Sequence, residues 1–346
     1  MKVKVLCVSL VVAQWAWAMN VDKDNFYTRD YLDFGQNLGQ FTPGARDLSI
    51  VKKNGDVVKM PDLPFPDFSK FDGSNRTSVG GAYTASAKHV VTANRNGQTI
   101  ELKKTFSLGD SNYSDRNIKT YWGDSAFTRV DKFIVEGGYK ATSFHDVKNN
   151  ATDYTTNYQG EDRIIVYRSG SGLMSFGDWQ GGPKASESVK SPGVAGGLFY
   201  LKAGQIEGVH GKLLAYNGNY GPLKGVINTG DSGSPIFVFN NKTQEWELIG
   251  TSWGGNQIGG NKVSSTFFGI VRPTELDNFK RQFEVQRVAN GAYDNTKDKD
   301  SVYTESGTIV INDEVQQGMG GIILRGGGVK RLTLQAMAPL AEQALI

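Results

Sequence analysis

The residues of this chain best suited to covalent chemistry are Gly230-Asp231-Ser232-Gly233-Ser234-Pro235. Glycines on both sides of a serine let the backbone turn through conformations in which a Cβ would clash. Such a turn aims the amides of Gly230 and Ser232 at one point. That point is an oxyanion hole for the charge that develops when a serine hydroxyl attacks a carbonyl. Asp231 is the companion that fixes the loop. A bare G-x-S-x-G string also fits an ordinary hairpin turn, whereas the six-residue string is far more specific for a serine nucleophile. A nucleophile needs a base, and the histidines on offer are His89, His145 and His210.

The elements that must position these groups are strands. The 346 residues suffice for one large or two ordinary domains with a sizeable core. Short apolar alternations separated by Gly, Asn and Asp turns dominate, without a long helix-period run, which predicts an all-β protein. Residues 47–51 and 56–60 read as a hairpin around Lys53-Asn54-Gly55, since Asn-Gly is a strong turn signal. Residues 61–66 form a proline-rich connector, and strand patterns recur from about 78 to 283. Directly after the serine loop, residues 236–239 and 245–250 read as two strands joined by Asn240-Asn241-Lys242-Thr243. The second runs into Thr251-Ser252-Trp253-Gly254-Gly255. Beyond 283 the texture changes. A polar stretch, 295–300, precedes a fresh strand at 307–312, which places a boundary near 285–300.

The N-terminus has the layout of a targeting segment. A basic Met1-Lys2-Val3-Lys4 precedes an apolar run, 5–17, too short for a membrane span, and Ala16-Trp17-Ala18 offers a cleavage site. Cleavage after Ala18 is expected; a buried N-terminal strand is the other use of this run. No other stretch is long and apolar enough to span a membrane. Cleavage removes Cys7, the only cysteine, so no disulfide partner is expected. A cysteine-free exported chain of this size fits a bacterial envelope or secretion route better than a eukaryotic one. Losing Lys2 and Lys4 brings the formal charge from +3 to +1. With no basic stripe interleaved with aromatics, no nucleic-acid partner is predicted. No two histidines have metal-ligand spacing, so neither a metal nor another cofactor is expected.

The serine loop and the strands after it resemble chymotrypsin-like serine proteases. In those enzymes a Ser-Trp-Gly segment lines the specificity pocket and pairs with the substrate backbone. The resemblance implies substrate contacts from Ser252, Trp253 and Gly254, although Trp253 alone also fits a core aromatic. Val226, six residues before Ser232, takes the place of the pocket floor, which favours an apolar primary side chain. The base of such enzymes closes a strand in a pattern like V-V-T-A-A-H-C. Read against Val90-Val91-Thr92-Ala93-Asn94-Arg95-Asn96, that pattern puts Arg95 where histidine belongs.

A more specific resemblance is to the protease domain of the IgA-protease-like serine autotransporters of Gram-negative bacteria, over roughly residues 20–325. There the base lies in a segment like Y-I-V-S-V-K-H-N-G. His89-Val90-Val91-Thr92-Ala93-Asn94-Arg95-Asn96-Gly97 reads against it without a gap, which places Arg95 on the base and His89 on an aromatic position. The acid of that family opens a segment like D-F-H-A-P-R-L-D-K. Asp124-Ser125-Ala126-Phe127-Thr128-Arg129-Val130-Asp131-Lys132 corresponds, so Asp124 is implied as the orienting acid, with Asp131 as its competitor. Pro43-Gly44-Ala45 and Met60-Pro61-Asp62 also lie near expected positions.

The fold so implied is all-β, a chymotrypsin-like double β-barrel followed by the first rungs of a right-handed parallel β-helix. The expected layout is a signal peptide at 1–18, the protease domain at 19–285, the start of the stalk at 286–325 and an atypical tail at 326–346. Guanidinium has no lone pair to accept a proton. On this alignment Arg95 would pair bidentately with Asp124 instead. Loss of the base removes a factor of about a million, leaving about a thousandfold from the oxyanion hole. His89, six residues upstream on the same supposed strand, would lie about 20 Å away. His145 and His210 sit in Asn- and Gly-rich surroundings and are expected at the surface.

The functional expectation is therefore a secreted serine endopeptidase-type passenger domain with impaired catalysis. The alternative is a non-catalytic passenger acting as an adhesin or binding module. Either would meet a host or secreted protein at the periplasm, cell surface or outside the cell. One or two β-helix rungs are not stable alone, and the Gly326-Gly327-Gly328 tail does not continue them. The outer-membrane barrel of that family is not expected within these residues. A truncated or frame-shifted gene, or a naturally short form, would account for this ending.

Overall fold

Alternation along two strands explains how the core is divided. In Pro235–Asn240 every residue is buried. Phe237 and Phe239 enter one apolar cluster, while Ile236 and Val238 enter another on the opposite face. The neighbouring strand Glu161–Asp178 repeats the split, with Ile165 and Tyr167 on the first side and Ile164 and Val166 on the second. The side-chain period of two along a strand produces this division. It makes these strands read as continuous apolar runs rather than as alternations.

The computed structural model describes residues 20–283 except 23, 72–74, 179–181, 202–211, 214–220, 224, 227–229 and 259–261. Beyond 283 it describes the short strands Gln286–Arg287, Tyr293–Asp294, Thr308–Ile311 and Glu314–Gln317. The described residues are mostly β, with a few short helices. One sheet runs in the order Thr77–Ser78, Tyr83–Ala87, Ser125–Val130, Ser111–Tyr121, Thr105–Leu108, with antiparallel neighbours throughout. The larger sheet runs Lys212–Leu213, Lys262–Ile270, Glu245–Ile258, Pro235–Asn240, Glu161–Asp178, Asn20–Val21, Gly225–Val226. Lys140–Ala141, Thr155–Tyr158 and Gly182–Leu201 join that path from its flanks. The predicted strand pair after the serine loop is present as Pro235–Asn240 against Glu245–Ile258. The Asn-Gly hairpin is present as Ser49–Val51 against Val57–Lys59, with Gly55 at φ 90°.

The lead-in contains a helix that a strand reading does not anticipate, Thr28–Gly35. Tyr31 and Phe34, three residues apart, share its buried face. Phe34 packs on Phe65 and Tyr167 with ring centroids 4.8 and 5.3 Å away. Gly35 ends the helix against the backbone of Ala195, where a Cβ would lie 2.5 Å from the carbonyl carbon, so only glycine permits this approach.

The expected signal peptide at 1–18 with its Cys7, His210, and the expected tail at 326–346 lie outside the described residues. Within the expected stalk, Thr308–Ile311 and Glu314–Gln317 pair antiparallel with one another, unlike the parallel stacking of β-helix rungs. Among the described residues no helix is long and apolar enough to cross a membrane.

Candidate active site

The strand Tyr83–Ala87 is buried along its whole length. At its end the chain makes a single helical turn, Lys88–Val91, which presents His89 at the surface. Asp124 closes over that turn from the neighbouring strand connection. Its backbone carbonyl accepts from Lys88 N at 2.9 Å. Its carboxylate accepts from His89 N at 3.0 Å through Oδ1, and Oδ2 lies 2.5 Å from His89 Nδ1. Asp124 adopts φ +62° directly after Gly123 at +83°, a left-handed conformation that aspartate tolerates better than most residues. The carboxylate therefore fixes both the backbone and the ring of His89. With Nδ1–H held by the carboxylate, Nε2 carries the lone pair of the neutral ring.

This arrangement corrects the place given to Arg95. Arg95 ends the strand Thr92–Arg95, pairs with Gln98 across a tight hairpin and is exposed. The carboxylate expected to hold its guanidinium is held by His89 instead. The physical reason is the helical turn at Lys88–Val91. The apolar pair Val90-Val91 belongs to that turn and not to a strand leading to Arg95, so the two residues do not share one extended segment. With the strand correctly placed, the family segment Y-I-V-S-V-K-H falls on Tyr83-Thr84-Ala85-Ser86-Ala87-Lys88-His89, sharing Tyr, Ser, Lys and His. The dipeptide Lys88-His89 is the sequence signal for the histidine that meets Asp124.

The other candidates are placed as follows. His145 is exposed on the helix Phe144–Asn149, with its ring against Phe144. Asp131 accepts from Ser114 N at 2.9 Å, a structural use that leaves Asp124 as the carboxylate on a histidine. Among the described residues no group of three or more His, Cys, Asp or Glu side chains is arranged to hold a metal ion.

The serine loop turns through Gly230 at φ +100° and Gly233 at +87°, conformations that require glycine. Ser234 N donates to Asp231 O at 2.9 Å, Gly233 N to Ser252 O at 2.6 Å, and Ser252 N to Ser234 O at 2.8 Å. Ser252 is fully buried and binds the loop through both backbone groups, a positioning role added to the pocket contact expected of it. A register shift between Ser252 and Gly254 interrupts the pairing with Lys262–Ile270, and open space lies where a side chain of Gly254 would point. Trp253 sits at this bulge. Val226 lies on Gly225–Val226, paired with Asn20–Val21.

The buried Ser86 and the half-buried Asn75 join the loop to the strand Tyr83–Ala87, which leads into the turn carrying His89. A Cβ on Gly233 would lie 2.7 Å from Asn75 Cβ and 2.9 Å from Ser86 Oγ, so the loop is packed directly on that strand. Ser86 is three residues before His89, and Gly233 is next to Ser232. Ser86 Oγ donates to Asn75 O at 2.8 Å, and Asn75 Nδ2 donates to Gly230 O at 3.3 Å. Behind them the fully buried Arg76 pairs with Asp115 at 2.7 Å and reaches Ser86 Oγ at 3.4 Å. Asp115 also accepts from Thr128 Oγ1 at 2.8 Å and from Lys104 N at 3.1 Å, so its charge is well satisfied. Ser232 is partly buried, and its hydroxyl makes no hydrogen bond to another described residue. The geometry thus holds a histidine–carboxylate pair and a glycine-bounded serine turn on two elements in direct contact.

Known proteins with this sequence pattern agree in class. The family model described as immunoglobulin A1 protease matches residues 19–270. The chain is 31% identical over 343 residues to the serine protease EspP of Escherichia coli, covering 93% of this chain and 26% of that protein. It is 30% identical over 354 residues to the serine protease pet autotransporter of E. coli, with the same coverage of each. The crystal structure of the passenger domain of plasmid encoded toxin from enteroaggregative E. coli superposes with a TM-score of 0.63 at 27% identity, covering 77% of this chain and 27% of that one. The Haemophilus influenzae Hap adhesin shares the fold at 19% identity and a TM-score of 0.52, over 92% of this chain and 33% of that one. The chain therefore spans about a quarter of the length of these serine protease relatives. From its matched residues, it belongs to the immunoglobulin A1 protease family.

Proposed function

We propose that this chain is the serine endopeptidase region of an exported autotransporter passenger, with Ser232 as nucleophile, His89 as general base and Asp124 as orienting acid. Catalysis on this reading is intact, because the impairment expected from Arg95 rested on an alignment that missed His89. The observation that carries the proposal is the paired contact of the Asp124 carboxylate with the ring and backbone of His89.

The chemistry follows from the groups. His89 Nε2 takes the hydroxyl proton of Ser232 as Oγ attacks the peptide carbonyl. The carbonyl oxygen gains the negative charge, and the amides of Gly230 and Ser232 stabilise it. Asp124 remains ionised and stabilises the imidazolium. The proton on Nε2 passes to the leaving amine, the C–N bond breaks, and an acyl-enzyme forms on Ser232. Water, deprotonated by His89, then hydrolyses the ester and restores the serine. Trp253 and Gly254 border the acyl side of the substrate, and Val226 favours an apolar residue there. The scaffold on this reading is the double β-barrel of 19–285, exported by the segment 1–18 to act on host or secreted proteins. The non-catalytic adhesin alternative loses its main support with Arg95.

The test is labelling of the purified chain by a fluorophosphonate probe, together with hydrolysis of casein. Labelling of the native chain at one site, abolished in Ser232→Ala, is expected. An unlabelled native chain, or labelling unchanged in Ser232→Ala, overturns the proposal.

A further inference from the structure

Behind the serine loop lies an ion pair that the triad does not explain. Asp231, the residue before the nucleophile, points inward, and its carboxylate Oδ2 accepts from Arg168 Nη2 at 3.0 Å. Both side chains are fully buried. Arg168 comes from the middle of Glu161–Asp178, opposite Ile236 of the strand that follows the loop. Its Nη1 also reaches Gly225 O at 3.4 Å, on the strand carrying Val226. One guanidinium therefore touches the nucleophile loop and the strand of the expected pocket floor.

The surrounding residues are shaped around this carboxylate. A Cβ at Gly170 would overlap Asp231 Oδ1, so glycine two residues after Arg168 makes room for the inward carboxylate. One residue further, Ser171 Oγ donates to Asn75 Oδ1 at 2.6 Å, and Asn75 binds Gly230 O. Residues 168–171 of one strand thus hold Gly230 and Asp231, the two residues directly before Ser232. Burial lowers the pKa of Arg168 and Asp231 opposes that effect; Asp231 is the charged group that bears on it. Guanidinium keeps its proton far above the range in which a lysine or an α-amino group loses one.

We propose that Arg168 is the positioning residue of the nucleophile loop: its permanent charge keeps Asp231 turned inward, and so keeps the amides of Gly230 and Ser232 turned toward the reacting carbonyl. This inference rests on the serine endopeptidase reading above. It implies an oxyanion hole held by the body of the protein and insensitive to alkaline pH. Removing the guanidinium alone would take the cation away from a fully buried carboxylate, which is costly to the fold. The informative variants are therefore Arg168→Lys and the neutral pair Arg168→Met/Asp231→Asn.

The measurement is the second-order rate of fluorophosphonate labelling of Ser232 from pH 7 to 10.5, with thermal melting of each protein. The native chain should hold a plateau to the alkaline end. Arg168→Lys should label within tenfold of it at pH 7, then fall reversibly by at least tenfold as the ammonium deprotonates. The neutral pair, while melting cooperatively, should label at least a hundredfold more slowly. A Lys variant with the native pH profile, or a folded neutral pair labelling within twofold of native, overturns the inference and leaves the protease reading standing. Should the neutral pair not fold, the Lys profile alone decides. A native chain that does not label removes the protease reading itself, and this inference with it.

Discussion

The two halves of the site are held in opposite ways. His89 is about half exposed, at 47%, and Asp124 is 19% exposed; two hydrogen bonds at the surface end of a strand secure them. The serine loop is anchored from below by Arg168 and Asp231, neither of which meets solvent. The exposed half can exchange protons with water and with a leaving group, which a general base must do. On the proposed reading the buried half must not move, because an oxyanion hole works by being in place before charge develops. On the proposed reading the difference is a division of labour: the surface half would move protons, and the interior half would fix geometry.

That division can be tested from the strongest effect downward. Ser232→Ala should cut kcat by about a millionfold while melting at the native temperature, since it removes the bond-forming atom and little packing. Asp124→Asn should keep the fold but lower kcat by about ten-thousandfold, because an amide can present its N–H to Nδ1 and hold the wrong tautomer of His89. Asp115→Asn attacks the site through the core. It removes the carboxylate that neutralises the buried Arg76 and should cost about 3 kcal/mol of stability in urea unfolding. Comparable kcat values for Asp124→Asn and the native chain would erase the distinction between the two halves.

Much of the site was legible from residue types and spacing. The glycines around Ser232 dictate the turn, and the strand pair after it follows from the apolar run at 236–239 and the Asn-rich turn. The segment that opens with Asp124 singled out the carboxylate that contacts a histidine. The pairing of Asp124 with His89 rather than Arg95 was not legible for a local reason. Tyr83–Ala87 is buried on both faces and rich in small residues, so it shows no alternation, whereas Val90-Val91 looks like the more obvious strand. A four-residue helical turn leaves no periodic signal. Arg168 escaped for a different reason. An arginine inside a strand reads as a solvent-facing residue, and its partner lies 63 positions away. The helix Thr28–Gly35 is only two turns long and offers just Tyr31 and Phe34 as its stripe.

The choice between His89 and Arg95 as the residue that serves Ser232 is the sharpest division in the molecule. Peptide hydrolysis measured as kcat/KM for the native chain, His89→Ala and Arg95→Ala decides it. His89→Ala should lose at least ten-thousandfold, and Arg95→Ala, altering only an exposed hairpin tip, should stay within about twofold of native. Retained activity in His89→Ala, or a comparable collapse in Arg95→Ala, would contradict the assignment.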